Sequence, residues 1–411
     1  MKYGLIGEKL GHSFSREIHD KLGWYDYELR EIPRDGLAAF FGTRDFAGIN
    51  VTIPYKTDVI PFLDGMTERA KAVGAVNTIS NRGGKLFGDN TDVAGLVGLI
   101  KRMRPDLSGL SVLIAGTGGT SRAALVAARE LGAEKVYRVS RTGREGALTY
   151  EDAYRDHADA GFLINTTPVG MYPHPEGKPV DLARLPRLLG VVDAIYNPLE
   201  TRLLREARAR GIPAENGLYM LVCQAMRAAE FWTGDPVDDA TTERIYSELL
   251  CEKRNVVLIG MPGSGKTTVG SILAKRLGRE LFDTDRMIVS RAGIPIPEIF
   301  RTRGETVFRD YESEAVEEAS AGFSRVLSTG GGAILRPDNL IALKRNGTVI
   351  FLDRPPEELT PTDDRPLADQ ADKIKALYEA RYPLYLAAAD AVVGVCGTPE
   401  ETAKQVMEKL Q

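Results

Sequence analysis

The sequence predicts an α/β fold of three units, each with a sheet covered by helices. Strand-like apolar runs alternate with helix-like stretches along nearly all of the 411 residues, and this alternation favours parallel sheets. At roughly 150 residues per domain, the length corresponds to two or three compact units. Two glycine-rich turns, one after SVLIA at Ser111 and one after NVVLI at Asn255, each lie between an apolar strand and a helix.

The strand–helix pattern divides the chain into three segments. The first covers residues 1–92 and the second covers residues 93–217. A long amphipathic stretch, LYMLVCQAMRAAEFW, follows within about 218–240, and a polar stretch then leads through a short helix to Arg254. The third segment covers residues 255–411.

Composition excludes several classes of protein. A hydrophobic content of 43% and a charged content of 27% are ordinary for a globular protein, and a net charge of −4 argues against a broad nucleic-acid surface. No run of about twenty apolar residues predicts a membrane span. The N-terminus reads as a strand instead of a signal peptide. The 3 scattered cysteines, Cys223, Cys251 and Cys396, predict reduced thiols and a cytoplasmic location.

The first glycine-rich turn has the spacing of a dinucleotide loop. Gly116, Gly118 and Ser121 occupy the three positions of G-x-G-x-x-G, with serine in the last. The first glycine permits the tight turn, and the second lets the backbone approach a pyrophosphate at the helix N-terminus. By itself the pattern is weak evidence, because any strand-to-helix turn can contain glycines.

The next strand, VYRVSRT, ends in Arg141, where an NAD site usually has a carboxylate. An arginine at this position pairs with a 2′-phosphate and favours NADP, with Arg122 and Arg144 adding positive charge. The alternative is that Arg141 is a solvated charge at a strand end.

Lys56 and Asp92 are candidates for an acid–base pair. Lys56 ends the string NVTIPYK, which begins at Asn50, and Asp92 lies in GDNTDVAG. Reduction of a ketone creates an oxyanion, and a lysine held near the carbonyl can supply its proton. A lone lysine is more often a surface residue.

These segments resemble shikimate dehydrogenase over essentially their whole length, predicted as residues 1–250. The family's motifs occur in order: GxxxxHSxS from Gly7, NVTxPxK, GAVNT, GDNTDxxG, GxGGxSR, INTTPxGM from Ile164, YNPxxT from Tyr196 and NGxxMLVxQA from Asn216. The resemblance implies a substrate domain, residues 1–92 plus about 218–240, and a Rossmann NADP domain, residues 93–217. The amphipathic stretch is expected to return to the first segment, because Gln224 must reach the substrate.

The same resemblance implies a role for each matching residue. Lys56 and Asp92 would be the catalytic pair. The substrate would be bound by Ser13, Ser15, Thr52, Asn77, Asp92, Tyr196 and Gln224. The cofactor NADP(H) would be bound by Gly116, Gly118, Gly119, Ser121, Arg122, Arg141 and Thr142, with Glu68 and Gly217 near the nicotinamide.

The second glycine-rich turn, Gly260 to Thr267, satisfies G-x-x-x-x-G-K-[ST] between a strand and a helix. Such a phosphate loop cradles phosphates with backbone N–H groups, while its lysine reaches the transferred group and its threonine contacts Mg²⁺. The predicted ATP ligands are Gly263, Ser264, Gly265, Lys266, Thr267 and Thr268.

The rest of the third segment contains candidate acceptor-binding groups. Asp283 and Asp285 are two residues apart after a strand, so both carboxylates can serve one site. Three glycines from Gly330 offer bare backbone for a ring, and Arg309, Arg365 and Arg381 suit a carboxylate plus phosphates. Each arginine alone would usually be a surface residue.

This segment resembles shikimate kinase from Asn255 to the C-terminus, which implies a P-loop kinase domain with a parallel sheet. By the resemblance, Asp285 would bind the substrate hydroxyls and act as the base, and Lys266 would be catalytic. Shikimate would also contact Arg309, Gly331 and Arg381. Arg365 would come from a lid and stabilise the γ-phosphoryl charge, and Thr267 and Asp283 would serve the metal.

The two resemblances imply a bifunctional enzyme of aromatic biosynthesis that uses NADPH, ATP and Mg²⁺ on small-molecule substrates. An alternative is that one half is catalytically impaired and senses a metabolite or nucleotide. The presence of Lys56, Asp92, Lys266 and Asp285 argues against it. A different small-molecule kinase is the nearest alternative for the third segment. No nucleic-acid or membrane partner is expected, and the sequence leaves the oligomeric state open.

Overall fold

The computed structural model describes residues 1–11, 14–144, 146–359 and 371–410. The chain divides into two compact units, Met1–Leu249 and Leu250–Gln411. The first unit contains two sheets and the second contains one. Short 3-10 turns occur at Arg34–Gly36, Ile60–Phe62, Leu182–Arg184, Ala333–Leu335 and Pro356–Glu358.

The first sheet of unit 1 has the strand order β2-β1-β3-β5-β6-β4. Its strands are β1 (Tyr3–Gly7), β2 (Tyr27–Glu31), β3 (Gly48–Val51), β4 (Gly65–Met66), β5 (Thr78–Arg82) and β6 (Lys85–Asp89). The accompanying helices are α1 (Ser15–Leu22), α2 (Leu37–Thr43), α3 (Glu68–Val73) and α4 (Thr91–Lys101). An apolar cluster that includes Ile6, Ile49 and Tyr55 fills one side of this sheet.

The first sheet is mixed, which the strand–helix alternation did not predict. Strand β1 pairs in parallel with β2 and β3, whereas β5 runs antiparallel to both β3 and β6. The cause is a hairpin, because β5 and β6 are joined by Gly83 and Gly84, with φ of 61° and 86°. A two-residue turn with both φ values positive matches the twist of antiparallel strands, and glycine adopts it without strain.

The second sheet of unit 1 is parallel throughout, with the order β12-β11-β10-β7-β8-β9. Its strands are β7 (Ser111–Ala115), β8 (Lys135–Ser140), β9 (Leu148–Thr149), β10 (Phe162–Asn165), β11 (Gly190–Asp193) and β12 (Ala214–Glu215). Helices α5 (Gly119–Glu130), α6 (Tyr150–Asp156) and α7 (Arg202–Ala209) connect them. This is the doubly wound Rossmann order, whose direction reverses between β7 and β10 and leaves a crevice at their carboxyl ends.

Helix α8 (Leu218–Thr233) returns to the first sheet, and α9 (Asp239–Lys253) follows it. Trp232 of α8 packs directly on Gly48 of β3 and stacks on His19 of α1, with ring centroids 5.4 Å apart. Gly95 of α4 lies against the backbone oxygen of Met220. These contacts hold α8 across the first sheet, so the chain leaves the Rossmann sheet and comes back to the sheet where it began.

Unit 2 contains a parallel sheet with the order β14-β15-β13-β16-β17. Its strands are β13 (Asn255–Ile259), β14 (Glu280–Asp283), β15 (Arg325–Ser328), β16 (Gly347–Asp353) and β17 (Ala391–Gly394). The helices are α10 (Lys266–Leu277), α11 (Thr284–Ala292), α12 (Ile296–Ser320), α13 (Pro337–Asn346), α14 (Ala371–Ala388) and α15 (Pro399–Lys409). Apolar clusters cover both faces of the sheet, and α12 is kinked at Gly304, where φ is 82°.

The predicted fold class, three α/β arrangements built mainly on parallel strands, is confirmed. None of the helices in the described part of the chain combines the length and the apolar character needed to cross a lipid bilayer.

Candidate active sites

Lys56 and Asp92 of unit 1 form an ion pair, and both line one cavity. Lys56 Nζ donates a hydrogen bond to Asp92 Oδ2 at 2.6 Å. Lys56 lies just beyond β3, after the cis peptide Ile53–Pro54, and Asp92 lies in the first turn of α4. Their side chains are 28% and 13% exposed, so the ion pair remains partly accessible.

A chain of hydrogen bonds orients this pair. Asn77 Nδ2 donates to Asp92 Oδ1 at 2.9 Å, and Asn77 Oδ1 accepts from the backbone N–H of Thr91 at 2.7 Å. Thr91 Oγ1 lies 3.3 Å from Gln224 Oε1 and can donate to it. Two helices, α4 and α8, and the segments after β3 and before β5 therefore contribute to one polar network, and α8 supplies Gln224 because it packs back on the first sheet.

The network opens into a cavity of about 370 Å³. The predicted residues that line this cavity are Ser15, Thr52, Lys56, Asn77, Asp92, Tyr196, Gly217 and Gln224. Ser13 lies outside the described residues. Burial raises the pKa of the Tyr196 hydroxyl, which stays a neutral hydrogen-bonding group at the cavity wall.

Sequence reasoning assigned no role to several other lining residues, among them Lys9, Asn50 and Thr120. Asn50 stands in the NVTIPYK string that was singled out, and its Oδ1 accepts from the hydroxyl of Tyr27 at 2.8 Å. Lys9 stands at an unspecified position of the GxxxxHSxS motif, so the motif gives it no role. Thr120 is in the first turn of α5, and its presence shows that the dinucleotide loop borders the cavity.

The dinucleotide loop is shaped for an anion. Gly116 has φ of 112°, and a Cβ there would lie 2.6 Å from Thr166 Oγ1. Ser121 Oγ donates to the Gly116 carbonyl at 2.7 Å and fixes the turn. Helix α5 begins without a side-chain cap, and no heavy atom occupies the space beside Gly118 and Gly119. Its free N–H groups fit a pyrophosphate.

The residues predicted to bind the rest of NADP lie close in the sheet to this loop. Arg122 is exposed on the first turn of α5, and Arg141 and Thr142 are exposed directly after β8, the neighbour of β7. Glu68 is not part of the cavity. It belongs to α3, where its side chain is 89% exposed and pairs with Lys71.

The phosphate loop of unit 2 joins β13 to α10. Gly260, Gly263 and Gly265 all have positive φ, which only glycine adopts readily. Lys266 Nζ donates to the carbonyls of Gly260 and Met261 at 2.9 and 2.8 Å. Helix α10 starts without a side-chain cap, so its backbone N–H groups are available for phosphate oxygens.

A small group of oxygen ligands lies beside this loop. Thr267 Oγ1 donates to Asp283 Oδ2 at 2.7 Å and lies 3.1 Å from Ser328 Oγ. Hydroxyl and carboxylate oxygens are the ligands that Mg²⁺ prefers, so the predicted metal residues fit the ion. Ser328, at the end of β15, was not predicted.

The loop borders a cavity of about 300 Å³. The predicted residues that line it are Gly263, Gly265, Lys266, Thr267, Thr268, Asp285, Arg309, Gly331 and Arg381. Ser264 is fully buried beneath the loop, and Arg365 lies outside the described residues. Ile296, Phe300 and Phe308 form an apolar wall that sequence reasoning missed, because apolar helix residues carry no signal that separates a pocket wall from a core.

Two buried arginines place guanidinium groups at this cavity. Arg309 Nη1 donates to Glu312 Oε2 at 2.7 Å, and Arg381 Nη1 donates to the carbonyl of Gly331 at 3.0 Å. Burial raises the pKa of Glu312, although Arg309 opposes the rise. A Cβ on Gly330 would lie 2.7 Å from Asp285 Oδ1 and 2.9 Å from Glu312 Oε1. Bare backbone at Gly330 therefore keeps space for a ring beside Asp285.

Comparison with known proteins assigns both units. Residues 5–79 match the family model of the shikimate dehydrogenase substrate binding domain. A shikimate dehydrogenase (NADP(+)) of Clostridium perfringens is 38% identical over 61% of this chain and 98% of its own length. The chain belongs to the shikimate dehydrogenase family. Residues 262–411 match the family model of shikimate kinase, so the predicted pair of families is confirmed.

Solved structures agree for the dehydrogenase part. A chorismate mutase/shikimate 5-dehydrogenase fusion protein from Clostridium acetobutylicum has a TM-score of 0.57 at 35% identity, over 60% of this chain and 96% of that chain. The Thermus thermophilus shikimate 5-dehydrogenase in complex with NADP(H) and shikimate has a TM-score of 0.54 at 33% identity, over 60% and 99%. Unit 1 is therefore called the dehydrogenase unit below, and unit 2 the kinase unit.

Proposed function

We propose that the protein catalyses two consecutive reactions. The dehydrogenase unit reduces 3-dehydroshikimate to shikimate with NADPH, and the kinase unit transfers the γ-phosphoryl group of ATP to the 3-hydroxyl of shikimate. The observation that carries the first reaction is the accessible Lys56–Asp92 pair in a cavity bordered by the dinucleotide loop. The families of the two units support both reactions.

In the dehydrogenase unit, Lys56 is the proton donor. Bound NADPH supplies the hydride for the ketone carbon, and the ketone oxygen then requires a proton. Lys56 Nζ delivers that proton, and Asp92 keeps the ammonium oriented through the 2.6 Å hydrogen bond. Ser15, Thr52, Tyr196 and Gln224 offer hydroxyl and amide groups to the substrate's own hydroxyls and carboxylate.

In the kinase unit, Asp285 accepts the proton of the attacking hydroxyl. Arg309 and Arg381 hold the shikimate carboxylate, and both are buried, so the charge pairing is little screened by water. Mg²⁺ bound near Thr267 and Asp283 would neutralise charge on the phosphates. Lys266, now bonded to carbonyls of the loop, turns to the γ-phosphate when ATP binds.

Arg365 is proposed to complete this site from a lid. Arg365→Ala should largely abolish kinase turnover and leave ATP binding intact, because it acts on charge that develops during transfer. An unchanged turnover number would exclude this role. Dehydrogenase activity of the same preparation serves as the internal control.

One reaction mixture tests both activities. The purified protein is incubated with 3-dehydroshikimate, NADPH and Mg-ATP, and products are followed by mass spectrometry. Shikimate 3-phosphate that accumulates in step with NADPH loss is the expected result. Shikimate that remains unphosphorylated would contradict the kinase assignment, and the absence of reduction would contradict the roles of Lys56 and Asp92 or the cofactor preference.

The proposal includes a cytosolic location. It is supported by the free state of Cys223, Cys251 and Cys396, which suits a reducing compartment. The partners proposed are small molecules only, namely 3-dehydroshikimate, shikimate, NADP(H) and ATP.

A further inference from the structure

Asp193 is a buried carboxylate of the dehydrogenase unit that the reaction described above does not use. It is the last residue of β11, which lies between β10 and β12 in the Rossmann sheet, and it is fully buried. Its Oδ1 accepts hydrogen bonds from Asn165 Nδ2 at 2.9 Å and from the backbone N–H of Ile195 at 3.1 Å. Its Oδ2 accepts from Thr201 Oγ1 at 2.7 Å. Three donors from three segments thus converge on one carboxylate.

One of these segments reaches the dinucleotide loop. Asn165 ends β10, and its Oδ1 accepts from both the backbone N–H and the hydroxyl of Thr167, at 3.1 and 2.7 Å. Thr166 lies between them, and its Oγ1 donates to the carbonyl of Ala115 at 2.7 Å, next to Gly116. Hydrogen bonds to Asn165 Oδ1 therefore close the turn from Asn165 to Thr167. This turn packs against the dinucleotide loop at Gly116.

The second segment reaches the substrate cavity. Ala194 and Tyr196 line that cavity and follow Asp193 directly in the chain. The backbone of Ala194 packs against Gly217, where a Cβ would overlap it, and the Gly217 N–H donates to the carbonyl of Ile195 at 2.9 Å. Ile195 precedes Tyr196. Its N–H is bonded to Asp193 and its carbonyl is bonded to Gly217, so the two hydrogen bonds fix the backbone that leads into Tyr196.

The third donor anchors helix α7. Thr201 caps this helix, because its side chain accepts from the N–H of Leu204. Its hydroxyl hydrogen is therefore directed to Asp193. Since α7 packs on the same sheet through Leu203 and Leu204, the carboxylate links the loop after β11 to a fixed element.

We infer that Asp193 is a positioning residue of the dehydrogenase, which ties the turn beneath the dinucleotide loop to the strand end that presents Tyr196. The inference rests on the proposed function of this unit. A carboxylate suits the task because a single group accepts from all three segments at once, whereas a neutral apolar side chain of similar size would leave three buried donors unpaired. Small displacements of positioning groups are costly to catalysis even at a distance from the reacting atoms.

Two variants separate hydrogen bonding from volume. In Asp193→Asn, the amide oxygen keeps the bonds from Asn165 and Ile195, and the amide nitrogen donates to Thr201 Oγ1. In Asp193→Ala, all three bonds are lost. We expect Asp193→Ala to lower kcat/KM by about 10- to 100-fold, with a higher KM for 3-dehydroshikimate and weaker binding of NADPH. Asp193→Asn should change these values by less than about threefold, because the bonds are preserved.

Leu203→Ala is the matched control for lost stability. It removes a fully buried side chain of α7 that neither lines the substrate cavity nor bonds to Asp193, so it should destabilise the unit while leaving KM and NADPH affinity unchanged well below the unfolding temperature. NADPH binding is measured by fluorescence titration without substrate, and kinase turnover of each preparation reports intact protein. If Asp193→Ala does not yield folded protein, Thr201→Val compared with Thr201→Ser carries the same test.

Two results would overturn the inference. In the first, Asp193→Ala has the same KM and NADPH affinity as Leu203→Ala. In the second, Asp193→Asn is folded but loses as much kcat/KM and NADPH affinity as Asp193→Ala. Failure of the proposed function looks different. A wild-type chain that binds NADPH without reducing 3-dehydroshikimate would refute the reaction, and Asp193→Ala would still be required to weaken NADPH binding.

Discussion

At the scale of single residues, the proposed dehydrogenase chemistry depends on Lys56. Lys56→Met removes the proton donor and should lower kcat by about 10²- to 10⁴-fold. NADPH affinity should stay near the wild-type value, because Lys56 follows β3 of the first sheet and is not part of the dinucleotide loop. Steady-state kinetics and a fluorescence titration of NADPH measure the two effects. Lys85 is an exposed lysine of β6, and Lys85→Met is the matched control. Wild-type turnover in Lys56→Met would contradict the role of Lys56 as proton donor.

The pH dependence of stability should reveal Asp193. Burial raises its pKa to about 6, although Thr201, Ile195 and Asn165 oppose the rise by hydrogen bonding. Because the folded pKa lies above the unfolded value of 3.8, the folded state binds the proton more tightly. Protonated Asp193 therefore adds on the order of 3 kcal/mol to the unfolding free energy. This contribution is fully present below about pH 4 and is lost as the pH rises through about 6.

This change is measured as the difference between wild type and Asp193→Asn in urea unfolding at pH 4.5 and pH 7.5. Both tryptophans, Trp24 and Trp232, belong to the dehydrogenase unit, so their fluorescence reports this unit alone. Relative to wild type, Asp193→Asn should gain stability between the lower and the higher pH. A difference that is constant with pH would contradict the raised pKa.

At the scale of elements, the contact between β3 and α8 places Gln224. Gly48 has no room for a side chain, because a Cβ would overlap the indole ring of Trp232. Gly48→Ala should therefore destabilise the dehydrogenase unit by about 1–3 kcal/mol, the usual cost of overpacking. It should also raise KM for 3-dehydroshikimate, since a shift of α8 moves Gln224.

Gly42→Ala is the matched control for that experiment. Gly42 is in α2, where nothing lies near the position of its Cβ, so alanine should be neutral or stabilising by up to about 1 kcal/mol. Urea unfolding monitored by tryptophan fluorescence measures both variants. Equal stability of Gly48→Ala and wild type would show that α8 adjusts without cost.

At the scale of the whole molecule, each of the two cavities is lined by described residues of one unit only. Every described residue of the first cavity belongs to residues 1–249, and every described residue of the second belongs to residues 250–411. We therefore expect Lys56→Met to retain kinase activity and Asp285→Asn to retain dehydrogenase activity. A mixture of the two variants should convert 3-dehydroshikimate to shikimate 3-phosphate, with a lag while free shikimate accumulates.

Labelled shikimate added to the wild-type protein then tests for direct transfer. Full mixing of the labelled pool with the shikimate formed internally is expected for two independent sites. Exclusion of the label from shikimate 3-phosphate would contradict independence. Failure of either single variant in its unaltered reaction would show that the units depend on each other.

The sequence by itself determined the families and the fold class, and it predicted about half of the residues that line the two cavities. Motifs such as GDNTD and GMPGSGKT specify backbone turns and functional groups within a few residues. These groups are neighbours in the chain, so their spacing in the sequence predicts that they lie together. The antiparallel pairing of β5 and β6 is an exception: it depends on the Gly83-Gly84 turn, and the strand–helix alternation alone did not predict it.

Tertiary structure decided which distant groups meet. Gln224 reaches the network of Asp92 only because Trp232 fixes α8 over Gly48, and the donors around Asp193 come from separate strand ends and a helix cap. Likewise, Ile296 and Phe300 become a pocket wall only when the kinked helix α12 faces the phosphate loop. Such contacts depend on how elements pack, and packing between residues far apart in the chain leaves no fixed spacing in the sequence.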